Sequence, residues 1–181
     1  MKYTIVTPAS SLPVSVSEMK LHLRVETYSE HDELIESYIK AAVKSFEQKA
    51  NICLMEQTWT LYLPGSEFGD TIYFYKYPVK SVSSVKYYDD DNTLQTMDSG
   101  NYTVVNSLRP AEIIIDDVPS VYDRSDAVQI TFVGGFTTVP DDIILALKER
   151  VYKVYNNPDD FVEMKYTHFD KVARDYRSYD E

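Results

Sequence analysis

Two stretches decide the fold between them: Leu34-Ile35-Glu36-Ser37-Tyr38-Ile39-Lys40-Ala41-Ala42-Val43-Lys44-Ser45-Phe46 and Thr58-Trp59-Thr60-Leu61-Tyr62-Leu63. In the first, Leu34, Ile35, Tyr38, Ile39, Ala42, Val43 and Phe46, followed by Ala50, recur at helical spacing. The stripe is too wide for a surface helix with one partner, and predicts burial on two sides, as in a bundle. In the second, Trp59, Leu61 and Leu63 alternate with Thr58, Thr60 and Tyr62, and Pro64-Gly65 ends the run. That is the period of a strand. The change of period predicts an α+β chain.

Working outward, residues 15–52 read as helices. Ser15 and Glu18 have capping-box spacing, so a helix starts at Ser15, presents Val16, Met19 and Leu23 on one face and ends near Val25. Ser29 is the expected N-cap of the second helix, with Glu30, Asp32 and Glu33 facing the positive end of its dipole. Strands follow at Ile72 and Phe74, at Val82 to Tyr88, at Leu94 to Met97, at Tyr102 and Val104, at Ile113 to Ile115 and at Val128 to Phe132. Asp89-Asp90-Asp91-Asn92 supplies a hairpin turn, and Gly134-Gly135 closes the region. Short strands joined by turns imply a mostly antiparallel sheet. Pro140-Asp141-Asp142 then opens a helix over 141–156 with Ile144, Leu147, Lys148, Val151 and Tyr155 at intervals of three or four, stopped by Asn156-Asn157-Pro158. It is expected to pack back on the second helix. Residues 1–156 then form a single domain, with helices in 15–52 and 141–156 forming a small bundle and 57–135 a β insertion. Residues 157–181 are a tail. Two separate domains are the alternative.

Hydrophobic residues make up 44% of the 181, so the chain can build a core. A net charge of -11 gives a surface that repels phosphate, which argues against tight non-specific nucleic-acid binding and is compatible both with an ordinary acidic surface and with a wall past which DNA slides. Sixteen tyrosines suit strands and protein interfaces. The one cysteine, Cys53, follows the apolar second helix and reads as a buried small hydrophobe rather than a nucleophile. Residues 1–8 do not read as a signal peptide, and no run reaches the roughly 20 apolar residues that span a bilayer.

Chemistry-bearing patterns are sparse. Asp89 to Asn92 lacks the central Gly and distal Glu of a calcium loop. Adjacent acids at Asp116-Asp117 point to opposite faces of a strand, and Asp141-Asp142 serves a helix dipole. His22, His31 and His168 are scattered, with no zinc-binding spacing. Gly134-Gly135 is not followed by the Lys-Ser/Thr of a phosphate loop. The expectation is no catalytic residue, no metal and no cofactor. The tail instead carries Phe161, Met164, Tyr166, Phe169, Tyr176 and Tyr179. A monomer would either expose these groups or fold them onto its body, and exposed aromatics at a terminus mark partner contacts.

An ordered set of segments resembles one family. Ser10-Ser11-Leu12-Pro13-Val14-Ser15 leads to Glu18-Met19-Lys20-Leu21-His22-Leu23-Arg24-Val25 and then to Asp32-Glu33-Leu34-Ile35. Gln57-Thr58-Trp59-Thr60-Leu61 follows, then Tyr77-Pro78-Val79-Lys80-Ser81-Val82-Ser83-Ser84-Val85-Lys86-Tyr87-Tyr88-Asp89, and finally Val133-Gly134-Gly135-Phe136 before Val139-Pro140. This order, over roughly residues 5–156, is similar to the head–tail connector (adaptor) proteins of tailed phages. The resemblance implies a structural, non-enzymatic virion protein at the head–tail neck, assembled in the host cytoplasm. It implies a dodecameric ring docked to the portal protein, extending the DNA channel towards a downstream stopper or tail-completion protein, with no membrane partner. It also implies that the C-terminal segment reaches the portal, which makes Phe161, Met164, Tyr166, Phe169, Tyr176 and Tyr179 the candidate portal interface. Truncation at Pro158 is then expected to abolish docking and leave the fold intact. The rival readings are a monomeric ligand-binding module with an exposed Tyr-rich sheet, a hydrolase with a deep polar pocket, and, within the phage class, a tail-completion or stopper protein.

Overall fold

In the computed structural model, whose described residues are 1–27, 29–157 and 167–177, the switch of period after residue 55 marks the passage between two units. The chain is an α+β mixture of helices and antiparallel sheets.

The helical unit comprises residues 11–55 and 137–177. Its helices are α1 (Val16–Leu23), α2 (Asp32–Ala50), α3 (Asp141–Asn156) and α4 (His168–Asp175). Helix α1 starts as its sequence dictates. The Ser15 hydroxyl accepts from the Glu18 N–H at 3.2 Å, and the Glu18 carboxylate accepts from the Ser15 N–H at 2.9 Å. Arg24 in the left-handed conformation (φ 60°) ends it. Ser29 does not cap α2. It lies in a 3-10 turn, Ser29–His31, and His31 takes the cap position without a side-chain capping bond, its Nδ1 pairing instead with the Tyr155 hydroxyl. Asp32 and Glu33 in the first turn still complement the dipole, and Asp32 accepts from Lys20 at 2.7 Å.

Helix α2 is the axis of this unit and packs on α1, α3 and α4. Ile35, Ile39, Ala42, Phe46 and Ala50 are buried, whereas Leu34 at the rim is 45% exposed. The expected return of α3 onto α2 is present. The buried stripe of α3 is Ile143, Ala146, Leu147, Val151 and Val154, one position away from the Ile144–Tyr155 phase at both ends. Helix α4 gives the tail a helical segment packed on the body. Thr167 and Asp170 form a second capping box, and Phe169, Val172 and Ala173 are buried.

The β unit contains residues 1–10 and 56–136. Strands β1 (Lys2–Thr7), β2 (Gln57–Leu63), β4 (Val79–Tyr88), β5 (Leu94–Thr96) and β8 (Val128–Gly134) form a sheet in the order β1-β2-β8-β4-β5. Strands β3 (Thr71–Phe74), β6 (Tyr102–Val105) and β7 (Ala111–Ile115) form a second sheet in the order β3-β7-β6. Every pairing is antiparallel. Alternation works as predicted in β2 and β8, where Leu61, Leu63, Val128, Ile130 and Phe132 point into a core shared with Ile72, Phe74 and Ile113 of the second sheet. Strand β1 was not predicted. It pairs with β2 through Tyr3 opposite Leu61 and Ile5 opposite Trp59, and the Tyr3 hydroxyl accepts from the Tyr75 N–H at 2.9 Å.

Among the described residues, no helix is long and apolar enough to cross a membrane.

Candidate interaction surfaces

Of the six aromatic and apolar residues expected at a portal interface, the structure describes two, Phe169 and Tyr176; Phe161, Met164, Tyr166 and Tyr179 lie outside the described residues. Phe169 is folded onto the body, one of the two outcomes the sequence allowed. It is 3% exposed and meets Phe46 edge to face at 5.3 Å between centroids. Lys49 and Arg150 lie over its ring at 5.9 and 5.7 Å. Tyr176 is half-buried, and its hydroxyl donates to Asp142 Oδ1 at 3.0 Å.

Asp170 binds this clasp together. Burial alone raises its pKa, but the hydrogen bond from Lys49, with those from the Thr167 backbone and hydroxyl, outweighs burial and holds the carboxyl at about 2. It therefore accepts from Thr167 N–H at 2.9 Å and Thr167 Oγ1 at 2.8 Å as a carboxylate. Removal of everything from Pro158 onward strips three buried side chains and this ion pair from the helical unit. Such a truncation should therefore loosen the helical unit rather than leave it intact.

In the β unit the acidic run Asp89 to Asn92 is the expected hairpin turn. The Asp89 N–H donates to the Thr93 carbonyl at 3.0 Å and the Asn92 N–H to the Asp89 carbonyl at 2.8 Å, with Asn92 at φ 56°. The Asp89 carboxylate accepts from the Gln95 side chain and from the Thr93 and Asp91 N–H groups. These bonds, the Gln95 one foremost, lower its pKa. Arg124 pins the base of the hairpin. Its guanidinium lies 3.7 Å from the Tyr88 ring centroid, contacts both Asp126 oxygens at 2.6 and 2.9 Å, and donates to Asn92 Oδ1 at 3.0 Å. Hydrogen bonding to Arg124 lowers the Asp126 pKa and raises that of Arg124 in return. Asp90 and Asp91 beside it are exposed, and neither side chain has an ion-pair partner among the described residues.

Five tyrosines of this unit are engaged in packing, whereas Tyr73 and Tyr122 are exposed. Tyr3, Tyr87 and Tyr102 pack on the core. Tyr88 lies under Arg124, and Tyr77 lies under Arg109 at 4.6 Å and against Phe136.

A groove of about 640 Å³ in the helical unit is lined by His22, Leu23, Arg24, Glu149, Tyr152, Lys153 and Asn156. His22 meets Tyr152 edge to face, and Glu149 is engaged by His168 Nδ1 at 3.0 Å. A groove of about 750 Å³ in the β unit is lined by Met1, Thr4, Tyr62, Glu67 and their neighbours. Cys53 is buried, and no cluster of three metal-ligating side chains occurs among the described residues. The cationic groove residues Arg24 and Lys153, far apart in sequence, carried no signal of proximity; only the helix pairing reveals them.

Comparison with solved structures gives likenesses over the whole chain. A chain from the neck of an empty GTA (gene transfer agent) particle computed with C6 symmetry has a TM-score of 0.82 at 19% identity, covering 100% of this chain and 97% of that one. Chains from the virion of a native gene transfer agent particle (TM-score 0.81, 19% identity) and from the neck of a native particle computed with C12 symmetry (0.79, 20%) show the same coverage. At these identities the likeness establishes the fold. No curated protein matches. The family model described as phage gp6-like head-tail connector protein matches residues 13–117, spanning α1, α2 and strands β2 to β7. With more than half its length matched, the chain belongs to the phage gp6-like head-tail connector family, a structural class of phage virion proteins.

Proposed function

We propose that copies of this chain form a dodecameric ring at the neck of a phage virion, docked on the portal protein and followed by a stopper or tail-completion protein, so that the ring prolongs the DNA channel. The observation that carries the reading is family membership, joined to a fold shared along its full length with chains of particle necks solved with six- and twelve-fold symmetry. Oligomerisation also gives the exposed Leu21, Leu34, Leu145 and Tyr152 of the helical unit a partner surface. The acidic composition favours a channel wall that DNA slides past, since like charge prevents adhesion. Assembly takes place in the host cytoplasm before the tail is joined.

The C-terminal segment is the proposed portal contact. Phe169 supports it from inside, by fixing α4 on α2 and α3. Direct contacts then fall to Phe161, Met164, Tyr166 and Tyr179 and to the half-buried Tyr176. Mixing the purified chain with its cognate portal and imaging the product tests the ring. Replacing Phe161, Met164 and Tyr166 together by alanine tests the contact. Docking should weaken while circular dichroism is unchanged, and undiminished docking would refute this role for the segment.

A further inference from the structure

We infer that the groove between α1 and α3 receives the acidic β4–β5 hairpin tip of a second copy. The inference rests on the ring reading above and specifies one contact within it.

The groove's chemistry selects an anionic segment bearing an apolar side chain. Arg24 and Lys153 line it, and neither has an ion-pair partner among the described residues. Its carboxylate, Glu149, already faces His168. Leu23 and Tyr152, the latter 49% exposed, add apolar surface to its lining. Helix geometry explains the location. Lys153 is in the last turn of α3, where a cation is favourable, and Arg24 projects from the left-handed cap of α1.

The hairpin tip has the matching chemistry. Asp89 is committed to closing the turn, which leaves Asp90 and Asp91 to face solvent, and the apolar Leu94 follows at 43% exposure. Arg124 holds the loop's base through Tyr88, Asp126 and Asn92, so docking orders little that is not already ordered. Groove and tip are different surfaces. A contact between them is therefore heterologous, the type that propagates from copy to copy and closes a ring, whereas a self-complementary patch stops at a dimer. Opposite charge across it fixes register and rejects mispairing.

Charge exchange tests the pairing. Arg24→Glu with Lys153→Glu, and separately Asp90→Lys with Asp91→Lys, should each lower the yield of portal-templated rings by about tenfold or more. The chain carrying all four reversals should recover to within about twofold of the parent. The neutral pair Arg24→Gln and Lys153→Gln, checked by circular dichroism, gives an intermediate loss and serves where a reversal unfolds the chain. Reversed pairs that assemble like the parent, or a folded fourfold variant that fails to recover, overturn the inference while the ring stands. A parent that forms no ring on the portal removes both. Fluorescence anisotropy with duplex DNA supplies the last arm. If Arg24→Glu with Lys153→Glu abolishes DNA binding yet leaves the rings intact, the groove serves a polyanion and the hairpin contact is wrong.

Discussion

Replacing Phe169 by alanine should undock α4 while leaving the β unit untouched. The ring is 3% exposed, edge-on to Phe46 and flanked by Lys49 and Arg150. Truncating a buried Phe to Ala costs about 3–5 kcal/mol. The helix has 8 residues, too few to persist in water without packing. Among the anchors that remain are the small buried Val172 and Ala173, the Lys49–Asp170 pair, the His168–Glu149 contact and the Tyr176–Asp142 bond. A loss of about 4 kcal/mol lowers the docking constant of α4 by roughly a thousandfold. The assay is amide hydrogen exchange over 168–175 with limited trypsin digestion at Lys171 and Arg174. Protection should collapse and cleavage should accelerate. Trp59, the one tryptophan, should report an unchanged urea midpoint for the β unit. Protection of α4 equal to that of the parent would show that Phe169 is not its anchor, and the clasp described here would be wrong.

Three further outcomes follow from the same contacts. Asp170 has a folded pKa of about 2 against an ordinary 3.8, so its contribution is full above the ordinary value and is lost as pH falls towards 2; it is worth about 2 kcal/mol. Acid titration of α4 protection should show this loss between about pH 4 and pH 2, and Asp170→Asn should flatten it. Ser15→Ala removes one half of the α1 capping box and should cost about 1 kcal/mol in urea denaturation followed by circular dichroism. Phe132→Ala, at a fully buried site touching Tyr3 and Phe74, should cost about 3–5 kcal/mol and appear in the Trp59 fluorescence transition.

What the sequence made legible was whatever a short period controls. The α2 stripe and the β2 and β8 alternation follow from side-chain geometry alone, and the Ser15–Glu18 cap and the Asp89–Asn92 turn follow from local hydrogen bonding. Tertiary choices were less legible. Ser29 is as good a cap as Ser15 by type, but the chain forms a 3-10 turn there and begins α2 three residues later. In α3, Ile143 and Ile144 are adjacent and either could lead the stripe; burial selects Ile143. Strand β1 is six residues long and lies more than fifty residues from its partner, although Lys2-Tyr3-Thr4-Ile5-Val6-Thr7 is rich in strand-forming residues and contains no breaker. Thr167 and Asp170 have capping-box spacing around Phe169, a local signal of α4 in the tail. Arg24, Lys153, Asp90 and Asp91 carry no local pattern linking them, because their proposed relation lies between copies.

Electron cryomicroscopy of the chain mixed with its cognate portal should show a twelve-fold ring seated on the portal, its aperture on the portal axis. Portal particles that remain bare, beside chain that stays monomeric at saturating concentration, would contradict the proposed ring.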